Sequence, residues 1–287
     1  MQYSNSIVMN LEKHAIKTQD SFELKARLYL PDSAPIGIVI CNAGTCIRQD
    51  FYQKTALFLA EQGLAALTYD YRGVGESRPA NLRGFKAKIS DWGRWDMPAV
   101  FDWANQRFPN LPKYLLAHSM GGQIIGLNEE ITGIDKIVTV ASSYGNHQFY
   151  EPSFRKMTQK GLIPMRLAEW WYGFIPARLI GGEDWAVGIS REWRDWSTYQ
   201  IPFSEIAQKK GWKTYFDRIT QPFRAYFIAD DKLATAQTIP YYQQDFQNAP
   251  LEVITLKPEQ QAIGHFGFFT GRVELSVWED VVTWLRN

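Results

Sequence analysis

The sequence predicts an α/β fold, a mostly parallel eight-stranded sheet with helices on both faces. Three observations carry that expectation. Short apolar segments alternate with longer amphipathic ones along most of the 287 residues, the order that builds strand–helix–strand units. Ile36-Gly37-Ile38-Val39-Ile40-Cys41 contains no polar side chain, which suits a strand covered on both faces. Tyr114-Leu115-Leu116 runs into Ala117-His118-Ser119-Met120-Gly121 and then Gly122-Gln123-Ile124-Ile125-Gly126, which reads as a strand, a tight turn and a helix.

Taken in order, segments near 6–17 and 22–30 alternate apolar and polar residues, as an antiparallel edge with one wet face requires. Further strands are expected near 36–42, 64–70, 113–118, 135–142, 222–229 and 251–257. Helices are expected near 50–62, 95–107, 120–127, 236–246 and 272–286. Asp91, Trp92 and Asp96 read as residues that cap and start a helix.

Residues 144–219 break the alternation. They hold Trp170, Trp171, Trp185, Trp193, Trp196 and Trp212, six of the eleven tryptophans, and prolines at 152, 164, 176 and 202. Those prolines imply short helices. Two roles fit the aromatic residues, a mini-core that holds the insertion to the sheet and a lining for an apolar substrate pocket. For the lining we single out Trp170, Trp171 and Trp193. Arg166, Arg178, Arg191 and Arg194 are expected to pair with Glu169, Glu183, Asp184 and Asp195, with substrate carboxylate as the other partner they could take.

Ser119 sits at the apex of the strand-to-helix turn, where such geometry lifts a hydroxyl above the sheet and aims backbone N–H groups at it. A serine nucleophile of this type is followed along the chain by an acid and then a histidine. Phe223–Ala229 reads as a buried strand with Asp230-Asp231 at its carboxyl end, and Gly264-His265-Phe266-Gly267 forms a loop before the last helix. Of the four histidines, His14 lies in the first strand, His118 within the turn and His147 just past a strand. Only His265 has the position a general base needs.

With Tyr69-Asp70-Tyr71-Arg72-Gly73-Val74-Gly75-Glu76-Ser77, Gly181-Gly182-Glu183-Asp184 and Glu192-Trp193, these segments resemble the α/β-hydrolase-fold serine hydrolases, in a branch grouped with lipase-like and serine-aminopeptidase-like enzymes. The resemblance runs from about residue 36 to the C-terminus. It departs at Ala117, where the usual motif has glycine, and at Asn42-Ala43, where relatives often carry His-Gly. It implies an α/β-hydrolase core over residues 1–143 and 220–287 with a Trp-rich cap over 144–219. It further implies Ser119 as nucleophile, His265 as base, and Asp231 rather than Asp230 as the acid behind the imidazole, Asp230 being a turn residue bonded within its own loop. The oxyanion donors would be the N–H of Met120 and that of Gly44 or Ala43. Asp70 and Arg72 read as a loop-bracing ion pair, and His118 as structural.

The expected reaction is hydrolysis of a carboxylic ester with an apolar portion through an acyl-enzyme. Thioester, peptide and acyl-transfer chemistry on the same residues are its alternatives, as is a non-catalytic binder of a hydrophobic ligand. A net charge of +1, from 31 basic and 30 acidic residues, leaves no footprint for nucleic acid or an anionic membrane. No segment reaches the ~18 apolar residues of a membrane span, and Met1–Ser6 shows no secretory pattern, so a cytoplasmic location is the default expectation. Two cysteines five positions apart make no disulfide framework. No metal or other cofactor is implied, the partner being a small-molecule substrate.

Overall fold

The computed structural model describes residues 10–287, so positions 6–9 of the first expected strand lie outside the described residues. Strands β1 (Asn10–Lys17) and β2 (Glu23–Leu30) pair as an antiparallel hairpin. They alternate exposed and covered positions, as the sequence implied. Strand β3 (Ile38–Asn42) is buried at every residue, so Ile38, Val39 and Ile40 each contribute about 1.5–3 kcal/mol of apolar transfer. Helix α1 (Gln53–Glu61) leads to β4 (Ala65–Tyr69), also wholly buried. The short α2 (Ile89–Asp91) and the longer α3 (Met97–Arg107) precede β5 (Lys113–His118). Helix α4 (Met120–Gln123) and β6 (Lys136–Val140) complete the first half of the sheet.

Between β6 and the next sheet strand lie α5 (Pro152–Tyr172), β7 (Phe174–Ile175), α6 (Ala177–Ile180), β8 (Trp185–Ala186), α7 (Val187–Trp196) and α8 (Phe203–Lys209). The sheet resumes with β9 (Phe223–Ile228), then α9 (Ile239–Asp245), β10 (Leu251–Leu256), α10 (Gly267–Thr270) and α11 (Leu275–Arg286). Its strand order is β1-β2-β4-β3-β5-β6-β9-β10. Only β2 runs antiparallel to its neighbours, and every other pairing is parallel. Strand β3 lies between β4 and β5, the central place its apolar run demands.

One expectation fails in the insertion. Helix α5 runs 21 residues straight through Pro164, where the prolines had implied short helices. Pro152 falls at the first helical turn, where its missing N–H costs nothing. Pro164 lies on the exposed side, where water can satisfy the carbonyl that loses its partner. Glu151 caps the start, its carboxylate accepting from the N–H groups of Ser153 and Phe154, and Gly173 ends the helix in the left-handed conformation, φ 74°.

The insertion is held in two ways. Met165, Ala168 and Ile175, with Tyr172, Ile180 and Trp185 around them, form a small apolar cluster of their own. By contrast, Ile189, Trp196, Phe203 and Ile206 belong to the main core, where Trp196 meets Phe203 and Trp212 edge to face.

Candidate active site

Strand β5 ends on His118, and the chain turns sharply through Ser119 before α4 begins. Ser119 has φ 50° and ψ −121°, a backbone state that L-residues occupy only when the surroundings enforce it. The surroundings here are tight. A Cβ on Gly121 would stand 2.5 Å from the Ala43 carbonyl oxygen, so only glycine lets the turn pass the loop after β3. Ala117, the departure from the usual glycine, is fully buried in β5 opposite Asn42 of β3, and its methyl is accommodated there. Asn42 fits as a strut: its Oδ1 accepts from Tyr69 Oη at 2.7 Å, and its Nδ2 reaches the Gly121 carbonyl at 3.4 Å.

Three side chains from distant segments meet at this turn. His265 Nε2 lies 2.9 Å from Ser119 Oγ, and His265 Nδ1 lies 2.7 Å from Asp231 Oδ2. The other Asp231 oxygen accepts from the N–H groups of Leu233 and Ala234, at 2.8 and 3.1 Å. Burial alone would raise the Asp231 carboxyl, but the His265 imidazole and these donors outweigh it and hold its pKa below the ordinary range. A buried carboxylate so fixed sets the imidazole's tautomer, leaving Nε2 free to take a proton from Oγ.

Asp230 has a different task from the one the sequence suggested. Its two oxygens accept from Ile263 N and Gly264 N, at 3.0 and 2.9 Å, so it anchors the loop that carries His265 rather than its own turn. The adjacent aspartates thus divide the work, one holding the ring and the other the loop beneath it.

His118 is fully enclosed and connects two sides of the site. The Gly44 N–H donates to Tyr52 Oη at 2.8 Å, Tyr52 Oη lies 2.9 Å from His118 Nδ1, and His118 Nε2 lies 2.9 Å from the His265 carbonyl oxygen. Only a neutral ring with its proton on Nε2 satisfies both neighbours, the tyrosine donating to Nδ1. Burial, reinforced by His265 nearby, pulls the His118 pKa down to about 3. The bond to Tyr52 also uses the Gly44 N–H, which removes Gly44 as an oxyanion donor and leaves Ala43 beside the elbow. Sequence reasoning missed Tyr52 altogether, since nothing in Asp50-Phe51-Tyr52 marks a residue that reaches across to the turn.

Two loop readings are corrected. Asp70 does not pair with Arg72: it accepts from Gln49 N, Gln49 Nε2 and Glu76 N at 2.7, 3.0 and 2.8 Å. Arg72 binds Asp96 at 2.7 Å and Asp20 at 2.6 Å. Asp96 therefore buries an ion pair instead of capping α3, while Asp91 does close the first turn of α2 by accepting from Lys88 N.

Residues 33–173 match the family model described as serine aminopeptidase, S33, a stretch that includes the elbow and ends before Asp231. Over 99% of its length the chain superposes on 96% of a soluble variant of the Saccharomyces cerevisiae monoglyceride lipase, with a TM-score of 0.67 and 16% identity. The Pyrococcus furiosus esterase matches 97% of the chain over 92% of its own, with a TM-score of 0.62 and 17% identity. The chain has the α/β-hydrolase fold. At such identities the structural likeness fixes the fold and nothing finer. In sequence it is similar to a monoacylglycerol lipase of Mycolicibacterium smegmatis, 30% identical over 100 residues, and the match spans 34% of the length of each protein.

The aromatic residues singled out for a substrate lining separate in the structure. Trp193 packs against the main core and meets Trp185 edge to face. Trp170 and Trp171 are 79% and 66% exposed on α5, and their ring contact is with each other. The insertion's acids also find partners from outside it. Glu169 pairs with Arg194 and Arg191 as expected, but Glu183 and Asp184 bind Arg78, and Glu183 also faces Arg48 at 3.8 Å. These bridges tie the Gly181–Asp184 loop to the segments after β3 and β4.

Proposed function

We propose that the protein is a serine esterase that cleaves a carboxylic ester with an apolar portion. The observation that carries this reading is the unbroken line Ser119 Oγ, His265 Nε2, His265 Nδ1, Asp231 Oδ2 at a strained elbow, with separations of 2.9 and 2.7 Å. In this reading Oγ adds to the ester carbonyl while Nε2 accepts its proton, and the oxyanion that forms is met by the N–H groups of Met120 and Ala43. Met120 opens α4, so its N–H has no partner inside the helix. The imidazolium then protonates the departing alkoxide, leaving an acyl-serine. Water, deprotonated by the same ring, releases the acid and restores Ser119.

Residues 144–219 serve as the cap in this proposal, resting on a core of residues 1–143 and 220–287. Their small cluster around Met165 and Ile175 and their bridges to Arg48 and Arg78 give the cap an attachment distinct from the sheet. The likeness to monoacylglycerol lipases makes a glycerol ester of one fatty acid the first substrate to try.

The test is labelling with a fluorophosphonate probe alongside hydrolysis of p-nitrophenyl butyrate and of a monoacylglycerol. Wild type is expected to label and to turn over, and Ser119→Ala to do neither. Full turnover by Ser119→Ala rejects the nucleophile, and absence of turnover by a labelled wild type points to a different acyl acceptor or substrate.

A further inference from the structure

The five most exposed large apolar side chains among the described residues lie on one helix. Met157, Ile163, Leu167, Trp170 and Trp171 all lie on α5, each more than half exposed, and from Ile163 onward they recur at spacings of three and four, which places them on one face. Pro164 lies on the same side and is exposed as well. Single exposed apolar residues are unremarkable, whereas a contiguous row of this kind marks an interaction surface.

Charge on the same helix is one-sided. Lys156 and Lys160 continue the apolar row toward the N-terminus and are exposed, and Arg166 flanks it. None of the three makes an ion pair among the described residues. The only carboxylate within the helix, Glu169, turns inward to Arg194 and Ser190. The outer face therefore pairs an apolar half containing two tryptophans with a cationic half, and no acid neutralises it. The chain's net charge of +1 conceals this because its acids lie elsewhere.

We propose that the outer face of α5 docks on an anionic lipid surface, with Ile163, Leu167, Trp170 and Trp171 entering the headgroup–acyl boundary and Lys156 and Lys160 against lipid phosphates. Tryptophan suits that boundary because its ring is apolar and its N–H is polar, and a basic polar edge is what draws such a helix to an anionic surface. A second copy of the chain would be repelled at this face by the same unpaired cations. The inference does not depend on the catalytic reading, since it rests on a surface and is read out by binding.

The experiment is co-sedimentation with vesicles of phosphatidylcholine, with and without phosphatidylglycerol, across a salt series. Wild type is expected to pellet with the anionic vesicles and to be released by salt. Ile163→Glu with Leu167→Glu should lower the partition coefficient at least about tenfold. Lys156→Gln with Lys160→Gln should lower it about fivefold per lysine and flatten the salt dependence. All four side chains are exposed, so thermal melts should match wild type. Failure of wild type to bind anionic vesicles overturns the proposal. So does a wild-type dimer in light scattering that Ile163→Glu with Leu167→Glu converts to monomer, because the occupant is then a second copy.

Discussion

The Tyr52 hydroxyl lies 2.9 Å from Nδ1 of His118, and through that contact the loop after β3 is bonded to the loop that carries His265. The Gly44 N–H ends the chain of bonds on one side and the His265 carbonyl on the other. Every member is buried, so each bond is made away from competing water and each broken bond leaves an unpaired polar group. The two loops that would supply the oxyanion donor and the base are thus held in register by residues that need not touch substrate.

Tyr52→Phe tests that arrangement. It removes the hydroxyl and nothing else, leaving the Gly44 N–H and His118 Nδ1 without partners, at about 1–3 kcal/mol of stability. Displacing the base or the oxyanion donor by a fraction of an ångström should lower kcat by about ten- to a hundredfold with KM little changed. Steady-state kinetics on a p-nitrophenyl ester, with a thermal melt alongside, checks both. A lower melting temperature with unchanged kcat would reduce the tyrosine to a purely structural role.

The neighbouring aspartates should behave differently when neutralised. Asp231→Asn keeps the shape but presents an amide to His265 Nδ1, favouring the wrong tautomer. The expected loss in kcat is on the order of 10⁴-fold with a folded protein. Asp230→Asn weakens the hold on Ile263 N and Gly264 N, so its effect should appear first as a lower melting temperature and only modestly in kcat. Equal losses of kcat in both variants would show that the two carboxylates are not separated in role.

The contrast between these aspartates shows where the sequence is legible. Strand β3 announces its central place because an unbroken apolar run has one stable environment, and Ser119 announces its turn because small residues must flank it. The order of serine, acid and histidine follows from topology. Asp230 and Tyr52 escape because their partners, Gly264 and His118, lie 34 and 66 positions away, and no local pattern encodes contacts made only when loops meet. Helix α5 escapes for another reason. A proline on an exposed face is tolerated, and exposure is a tertiary fact. Arg72 and Asp70 mislead by adjacency, since the turn that sets them side by side in sequence sends their side chains to Asp96 and Gln49.

His118 gives the fold a defined sensitivity to acid. Its pKa falls from 6.5 to about 3 on folding, chiefly because burial excludes the charged ring. Between those values the unfolded chain binds a proton that the native one refuses, so this residue's stabilisation is complete above about 6.5 and is lost as pH falls toward 3. The slope is about 1.4 kcal/mol per pH unit. Asp70 and Asp245 oppose it, since burial raises each of them to about 6 and favours the native state in acid. The difference between wild type and His118→Gln isolates the histidine. Denaturant melts from pH 4 to pH 7 should show a steeper loss toward acid in wild type, and parallel curves would mean that His118 is charged in the native state.

Ser119→Gly should separate chemistry from strain. The serine holds φ at 50°, and releasing a non-glycine residue from such a region is worth on the order of 1 kcal/mol. Glycine adopts that backbone freely, though it also gives the unfolded chain more freedom, which takes back part of the gain. Ser119→Ala keeps a Cβ and so keeps the strain. The expected order of melting temperatures is therefore glycine variant above alanine variant, with both inactive, measured under identical buffer conditions. If alanine proves the more stable, the backbone at the elbow is not under strain, and the exposure of Oγ must be attributed to packing against Ala43 and Gly121 alone.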